Sequence, residues 1–119
     1  MSNSILIIDD EEDICLLLSA ILKKRDFKVS FKNTLEEGLS ALKSKPPALL
    51  FLDLNLPDGY GLDYVDMIKK QLPALKIIII SAYDGPKERG LASEKGVDMF
   101  IGKPFNRDII NRSVDHLMA

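Results

Sequence analysis

The sequence predicts an α/β fold: a parallel sheet wound on both faces by helices. Three observations carry this. Short β-branched apolar runs alternate with stretches of helical periodicity. The alternation repeats five times without a break. Most of the strand-like runs are apolar throughout, as expected of strands covered on both faces.

Each element has its own signal. Ile5-Leu6-Ile7-Ile8 is the first strand, short and continuous. Ile14, Leu17, Leu18, Ile21 and Leu22 follow at i, i+3, i+4, i+7 and i+8, one stripe of a helix. Acidic residues open that helix and Lys23, Lys24 and Arg25 close it, matching its dipole. Phe27 to Phe31 alternates with polar residues and reads as a half-covered strand. Thr34-Leu35-Glu36-Glu37 fits a capping box, and Leu35, Leu39 and Leu42 continue a helix face. Pro46-Pro47 stops it, and Ala48 to Leu52 is a buried strand. Leu62, Val65, Ile68 and Leu72 mark a third helix ended by Pro73. Ile77 to Ile80 is the strongest strand. Pro86 to Lys95 reads as a weak helix, because Leu91 and Ala92 are nearly its only apolar members and Gly90 interrupts it. Val97 to Ile101 is the last strand, and Ile109, Ile110, Val114 and Leu117 make the last helix.

Composition sets the bounds. A chain of 119 residues fits one domain, 1–119, able to bury a core without disulfide or metal staples. Hydrophobic residues at 46% and charged residues at 29% suit a soluble globular protein. Sixteen basic residues against 18 acidic give a net charge of -2, so nothing drives direct nucleic-acid binding. The single cysteine cannot close an internal disulfide, which points to a reducing, cytoplasmic compartment. Met1-Ser2-Asn3-Ser4 lacks the basic start of a signal peptide. No apolar run exceeds five residues, so no membrane span is expected.

In a sheet of this type ligands bind beyond the carboxyl ends of the strands. Asp9 and Asp10 follow the first strand, Asp53 the third, Ser81 the fourth and Lys103 the fifth. Each alone is ordinary: acidic runs open helices, and serines cap turns. Together they bring three carboxylates, a hydroxyl and an ammonium to one edge. Three carboxylates do not stay ionised side by side without counter-charge. Lys103 supplies one positive charge, and a hard cation such as Mg2+ would supply the rest. Acids, magnesium and lysine are equipment for phosphoryl transfer, and a carboxylate can itself be the nucleophile. His116 is expected to be exposed and Cys15 structural.

The chain resembles the receiver domain of two-component response regulators. The resemblance rests on Ile7-Ile8-Asp9-Asp10, on Leu52-Asp53-Leu54-Asn55-Leu56-Pro57 with Gly61, on Ser81-Ala82 and on Lys103-Pro104-Phe105. It implies a flavodoxin-like fold with strand order 2-1-3-4-5. It implies that Asp53 accepts a phosphoryl group from a histidine kinase, a phosphotransfer protein or a small donor. Asp9, Asp10, Asp53 and the backbone carbonyl of Asn55 would hold Mg2+. Lys103 would pair with the carboxylate and then with the phosphoryl group. Ser81 would swing toward a phosphoryl oxygen, while Ala82 leaves space beside it and Tyr83 lines the site. Lys103-Pro104 would be cis. Phe100 would be the aromatic switch, and the face built by helix four, strand five and helix five would change its contacts.

The resemblance thus implies a switch that phosphorylates itself and slowly dephosphorylates, not a turnover enzyme. Its partners would be the kinase, an effector domain or partner protein, and a second copy in a phosphorylation-dependent homodimer. The alternative is a pseudo-receiver, a binding module that is never phosphorylated; the complete acid, serine and lysine set argues against it. A haloacid dehalogenase-like phosphatase would need an acid where Asn55 stands, and a flavodoxin's phosphate loop would be repelled by Asp9-Asp10.

Overall fold

The computed structural model describes residues 3–118. Met1, Ser2 and Ala119 lie outside the described residues, and with them part of the signal-peptide reading and both ends of the 1–119 span.

Five strands form one parallel sheet: β1 (Ser4–Ile8), β2 (Lys28–Lys32), β3 (Leu49–Asp53), β4 (Lys76–Ser81) and β5 (Met99–Gly102). Their order is β2-β1-β3-β4-β5, the flavodoxin-like order. Five helices connect and close them: α1 (Glu12–Lys23), α2 (Leu35–Ser44), α3 (Val65–Gln71), α4 (Pro86–Glu94) and α5 (Arg107–Met118).

Strand alternation divides the core in two. Ile5, Ile7, Phe51, Ile78 and Ile80 face α1 and α5, packing on Leu18, Leu22, Ile110 and Val114. Leu6, Ile8, Leu50, Leu52, Ile77 and Ile79 face the other layer, with Leu35, Leu42, Val65, Ile68 and Ala92. The central strands are apolar throughout because both of their faces are covered. At the sheet edge, β2 alternates between exposed and half-buried residues, as its sequence foretells. Thr34 caps α2 by accepting the Glu37 N–H at 3.1 Å.

Three readings need correction. Leu17 is 47% exposed. The buried stripe of α1 instead runs through Cys15, Leu18, Ile21 and Leu22. The third helix does not begin at Leu62: residues Gly61–Tyr64 form a 3₁₀ turn before α3. Gly61, which opens the turn, lies hard against the Asp53 carbonyl oxygen, where a Cβ would stand only 2.3 Å away. The last strand starts at Met99 rather than Val97, whose N–H still closes the end of α4 by donating to Ala92 O at 3.1 Å. A two-residue ladder, Asn55–Leu56 against Gly59–Tyr60, follows β3 and was not foreseen. No helix among the described residues is long and apolar enough to cross a membrane.

Candidate functional site

Register levels the strand ends. Ile8 pairs with Leu52, Asp53 with Ile80, and Ser81 with Gly102. The polar residue that ends or follows each of these strands therefore meets its neighbours at one edge of the sheet.

Asp53 is 5% exposed and Asp9 fully buried, while Asp10 reaches solvent. One carboxylate oxygen from each of the three lies within 4.8 Å of the others. Two such charges repel by about 3.5 kcal/mol at an effective dielectric of about 20. Lys103 answers part of this. Its Nζ lies 3.0 Å from Asp9 Oδ2, 3.4 Å from Glu11 Oε1 and 3.5 Å from Asp53 Oδ2, with its side chain 8% exposed.

The titrations follow from that geometry. Burial, with the Asp9 charge second, pushes the Asp53 carboxyl from its ordinary 3.8 up to about 7. Burial also raises Asp9, against the pull of the Glu11 N–H and of Lys103. For Lys103 burial opposes the charge, but Asp9 and Asp53 outweigh it and hold the ammonium above the usual lysine range.

The backbone fixes the acids in place. Asp9 Oδ1 accepts the Glu11 N–H at 2.8 Å, and Asp53 Oδ1 accepts the Leu54 N–H at 2.8 Å. Asp9 Oδ2 is buried and has the Lys103 ion pair but no aligned hydrogen bond. An under-coordinated buried oxygen, with two more carboxylates beside it, is a hard all-oxygen donor set. It fits a small divalent cation of the magnesium type.

The other expected residues are also placed. Ser81 is fully buried, and its Oγ accepts the Tyr83 N–H at 2.9 Å. Ala82 and Asn55 are exposed, and the Tyr83 side chain is 63% exposed. The Lys103-Pro104 peptide is cis. Phe100 is half-buried against the α2–α4 layer. His116 is exposed. Cys15 is fully buried, donates to the Asp9 carbonyl at 3.3 Å, and burial pushes its thiol up to about 12. A thiol held there is no nucleophile at neutral pH.

Three contributors escaped the sequence reading. Asn33, in the loop after β2, donates its amide to the Asp9 carbonyl at 2.8 Å. Glu11 contacts Lys103 from the exposed side. Asp58 accepts the Leu35 and Glu36 N–H groups at 2.8 and 2.9 Å, tying the loop after Asp53 to the start of α2. Those bonds hold the Asp58 carboxyl below its usual range. Only the capping habit of Asp hinted at this, and its partner helix lies 23 positions away.

Fold and site together define a doubly wound α/β protein with a lysine-bridged acidic pocket at the carboxyl edge of its sheet. The chain belongs to the response regulator receiver domain family, whose model matches residues 5–115. It is 32% identical over 101 residues to the photosynthetic apparatus regulatory protein RegA of Rhodovulum sulfidophilum, covering 85% of this chain and 55% of that one. The chain thus spans about half the length of that relative. Among solved structures it is similar to a CheY-like receiver domain protein from Methanospirillum hungatei JF-1. The TM-score there is 0.90 at 27% identity, over 99% of this chain and 95% of that one. It is also similar to the beryllofluoride-activated NtrC4 receiver domain dimer, with a TM-score of 0.92 at 30% identity, over 97% of this chain and 95% of that one.

Proposed function

We propose that this receiver domain is a phosphorylation switch with Asp53 as phosphoacceptor. The observation that carries the reading is the Asp53 carboxylate itself. It is buried at a strand end, 3.5 Å from Lys103 and grouped with Asp9 and Asp10. In this reading a carboxylate oxygen of Asp53 attacks the phosphorus of a phosphohistidine on a kinase or phosphotransfer protein. The O–P bond forms, the P–N bond breaks, and the imidazole leaves with the electron pair.

Asp9, Asp10, Asp53 and the backbone carbonyl of Asn55 would hold Mg2+. When bound, that ion supplies positive charge for the developing phosphoryl oxygens. Lys103 keeps its place and exchanges a carboxylate partner for a phosphoryl oxygen. Ser81 turns from the Tyr83 N–H to a second phosphoryl oxygen, and Phe100 moves into the space released. The face of α4, β5 and α5 then changes its contacts with an effector domain, a partner protein or a second copy. The activated NtrC4 receiver, a dimer, supports the last of these. The domain occupies 1–119 and works in the cytoplasm on its own phosphoryl group, without turnover of a substrate.

The test is intact mass after incubation with Mg2+ and acetyl phosphate. One phosphoryl adduct is expected on the wild type, and none on Asp53→Asn or without Mg2+. If neither acetyl phosphate nor beryllofluoride engages the wild type, the domain is a binding module and the reading fails.

A further inference from the structure

Ser81 and Phe100 sit on neighbouring strands, and one exposed side chain from α4 reaches the elements that connect them. Arg89 Nε donates to the Asp84 carbonyl at 2.9 Å. Its Nη2 pairs with Asp84 Oδ2 at 3.7 Å. Its Nη1 donates to the Phe100 carbonyl at 3.4 Å, and its guanidinium lies over the Phe100 ring, 4.8 Å from the centroid. A planar fork can make all four contacts at once, which a lysine ammonium cannot.

Asp84 is itself seated. Its Oδ2 lies where a Cβ on Gly102 would stand, 2.2 Å from that position, so the carboxylate occupies the space that this β5 glycine leaves open. One residue earlier, the Tyr83 N–H donates to Ser81 Oγ. A continuous chain of contacts therefore runs from Ser81 through Tyr83 and Asp84 to Arg89, and from Arg89 to Phe100. Turning Ser81 away from the Tyr83 N–H breaks the hydrogen bond that joins it to the loop Arg89 grips. Phe100 cannot leave its place without losing the guanidinium above it. The rest of α4 offers less hold than the other helices, since Ala92 is its only fully buried residue, with Leu91 half-buried beside it.

We propose that Arg89 is a positioning residue: it clasps the loop after β4 to β5 and holds Phe100 in the arrangement seen here, against the phosphorylated one. The assignment rests on the receiver reading above. It makes Arg89 a setting for the switch threshold, because a ligand that binds only the second arrangement has its affinity reduced by the population held in the first.

The experiment is calorimetric titration of beryllofluoride, with Mg2+, into wild type, Arg89→Ala, Arg89→Met and Arg89→Lys. A cation–π contact and half-exposed charged hydrogen bonds together set an equilibrium by about three- to tenfold. The Ala and Met variants are expected to bind tighter by about that factor, with Lys between them and wild type. Met keeps an unbranched apolar stem on the Phe100 ring, so an uncharged variant remains testable if Ala does not fold. Without ligand, the Asp84 and Phe100 amide resonances of these variants should lie shifted toward their beryllofluoride-bound positions. A purely structural role would lower the melting temperature and leave both readouts unmoved. Equal or weaker binding by Ala and Met overturns the assignment while the receiver reading stands. A wild type that binds no beryllofluoride overturns the receiver reading, and this assignment with it.

Discussion

Replacing Asp53 by asparagine should stabilise the protein when no divalent cation is present. Asparagine keeps the shape and can keep Oδ1 as acceptor for the Leu54 N–H, 2.8 Å away. It removes one of three crowded carboxylates. Moving the Asp53 carboxyl from 3.8 to about 7 corresponds to about 4 kcal/mol of stability lost once the group is ionised in both states. The gain is smaller than that ceiling. Lys103 gives up a partner at 3.5 Å, and Asp9, raised as well, shares the proton balance. We expect a net gain of about 2 kcal/mol at pH 8, or about 8 °C in melting temperature for a domain of this size. The sign with pH follows from the raised value. Below pH 3.8 both states hold the proton and the advantage vanishes; it grows as pH rises from 3.8 to about 7 and is flat above. Urea unfolding at several pH values with chelator present measures it. Mg2+ should narrow the gap by stabilising the wild type more than the variant. If Asp53→Asn is no more stable than wild type at pH 8, or if the gap does not vary with pH, burial and repulsion do not govern this carboxylate.

Three further outcomes are expected. Gly61→Ala would place a Cβ 2.3 Å from the Asp53 carbonyl oxygen, a backbone atom with nowhere to go; the free energy of unfolding should drop by more than about 2 kcal/mol, with weaker Mg2+ binding. Gly90→Ala meets nothing within 4 Å, so it should stabilise α4 by about 1 kcal/mol and slow its amide exchange relative to wild type, where α4 should exchange faster than α1 and α5. Tyr83→Ala should speed loss of the phosphoryl group, on the reading that the bulky side chain two residues after Ser81 shields it from water; an unchanged decay rate removes that role.

What the sequence made legible was whatever depends on short-range pattern. Continuous β-branched runs announce covered strands, and a parallel sheet then gathers their carboxyl ends. Asp9, Asp53, Ser81 and Lys103 could therefore be placed together before any coordinate. Leu17 was misplaced because Leu16, Leu17 and Leu18 are all apolar. The sequence fits two rotations of α1; Cys15, read as structural, is buried on the core face. Asn33, Asp58 and Arg89 were invisible for a different reason. Their partners lie 24, 23 and 11 positions away, and nothing local distinguishes them from ordinary loop and surface residues.

The two weakest features of the molecule belong to one device. At the strand ends, Asp9, Asp10 and Asp53 crowd together while Lys103 pairs with Asp9, Asp53 and Glu11, so the pocket holds repulsion of several kcal/mol that a cation or bound phosphoryl group would redistribute. That energy acts on whatever resists least. α1 buries Cys15, Leu18, Ile21 and Leu22, and α5 buries Ile110 and Val114; burial of such aliphatic side chains is worth about 1.5–3 kcal/mol each. Helix α4 fully buries only Ala92, a methyl group worth about 1 kcal/mol, with Leu91 half-buried beside it, and carries a glycine in its interior. Its firm attachment to the sheet at the site end is the Arg89 fork, half in solvent. On the proposed switch, a change at Asp53 would therefore move α4 before α1 or α5. The residue that would set how readily it moves is the arginine lying over Phe100.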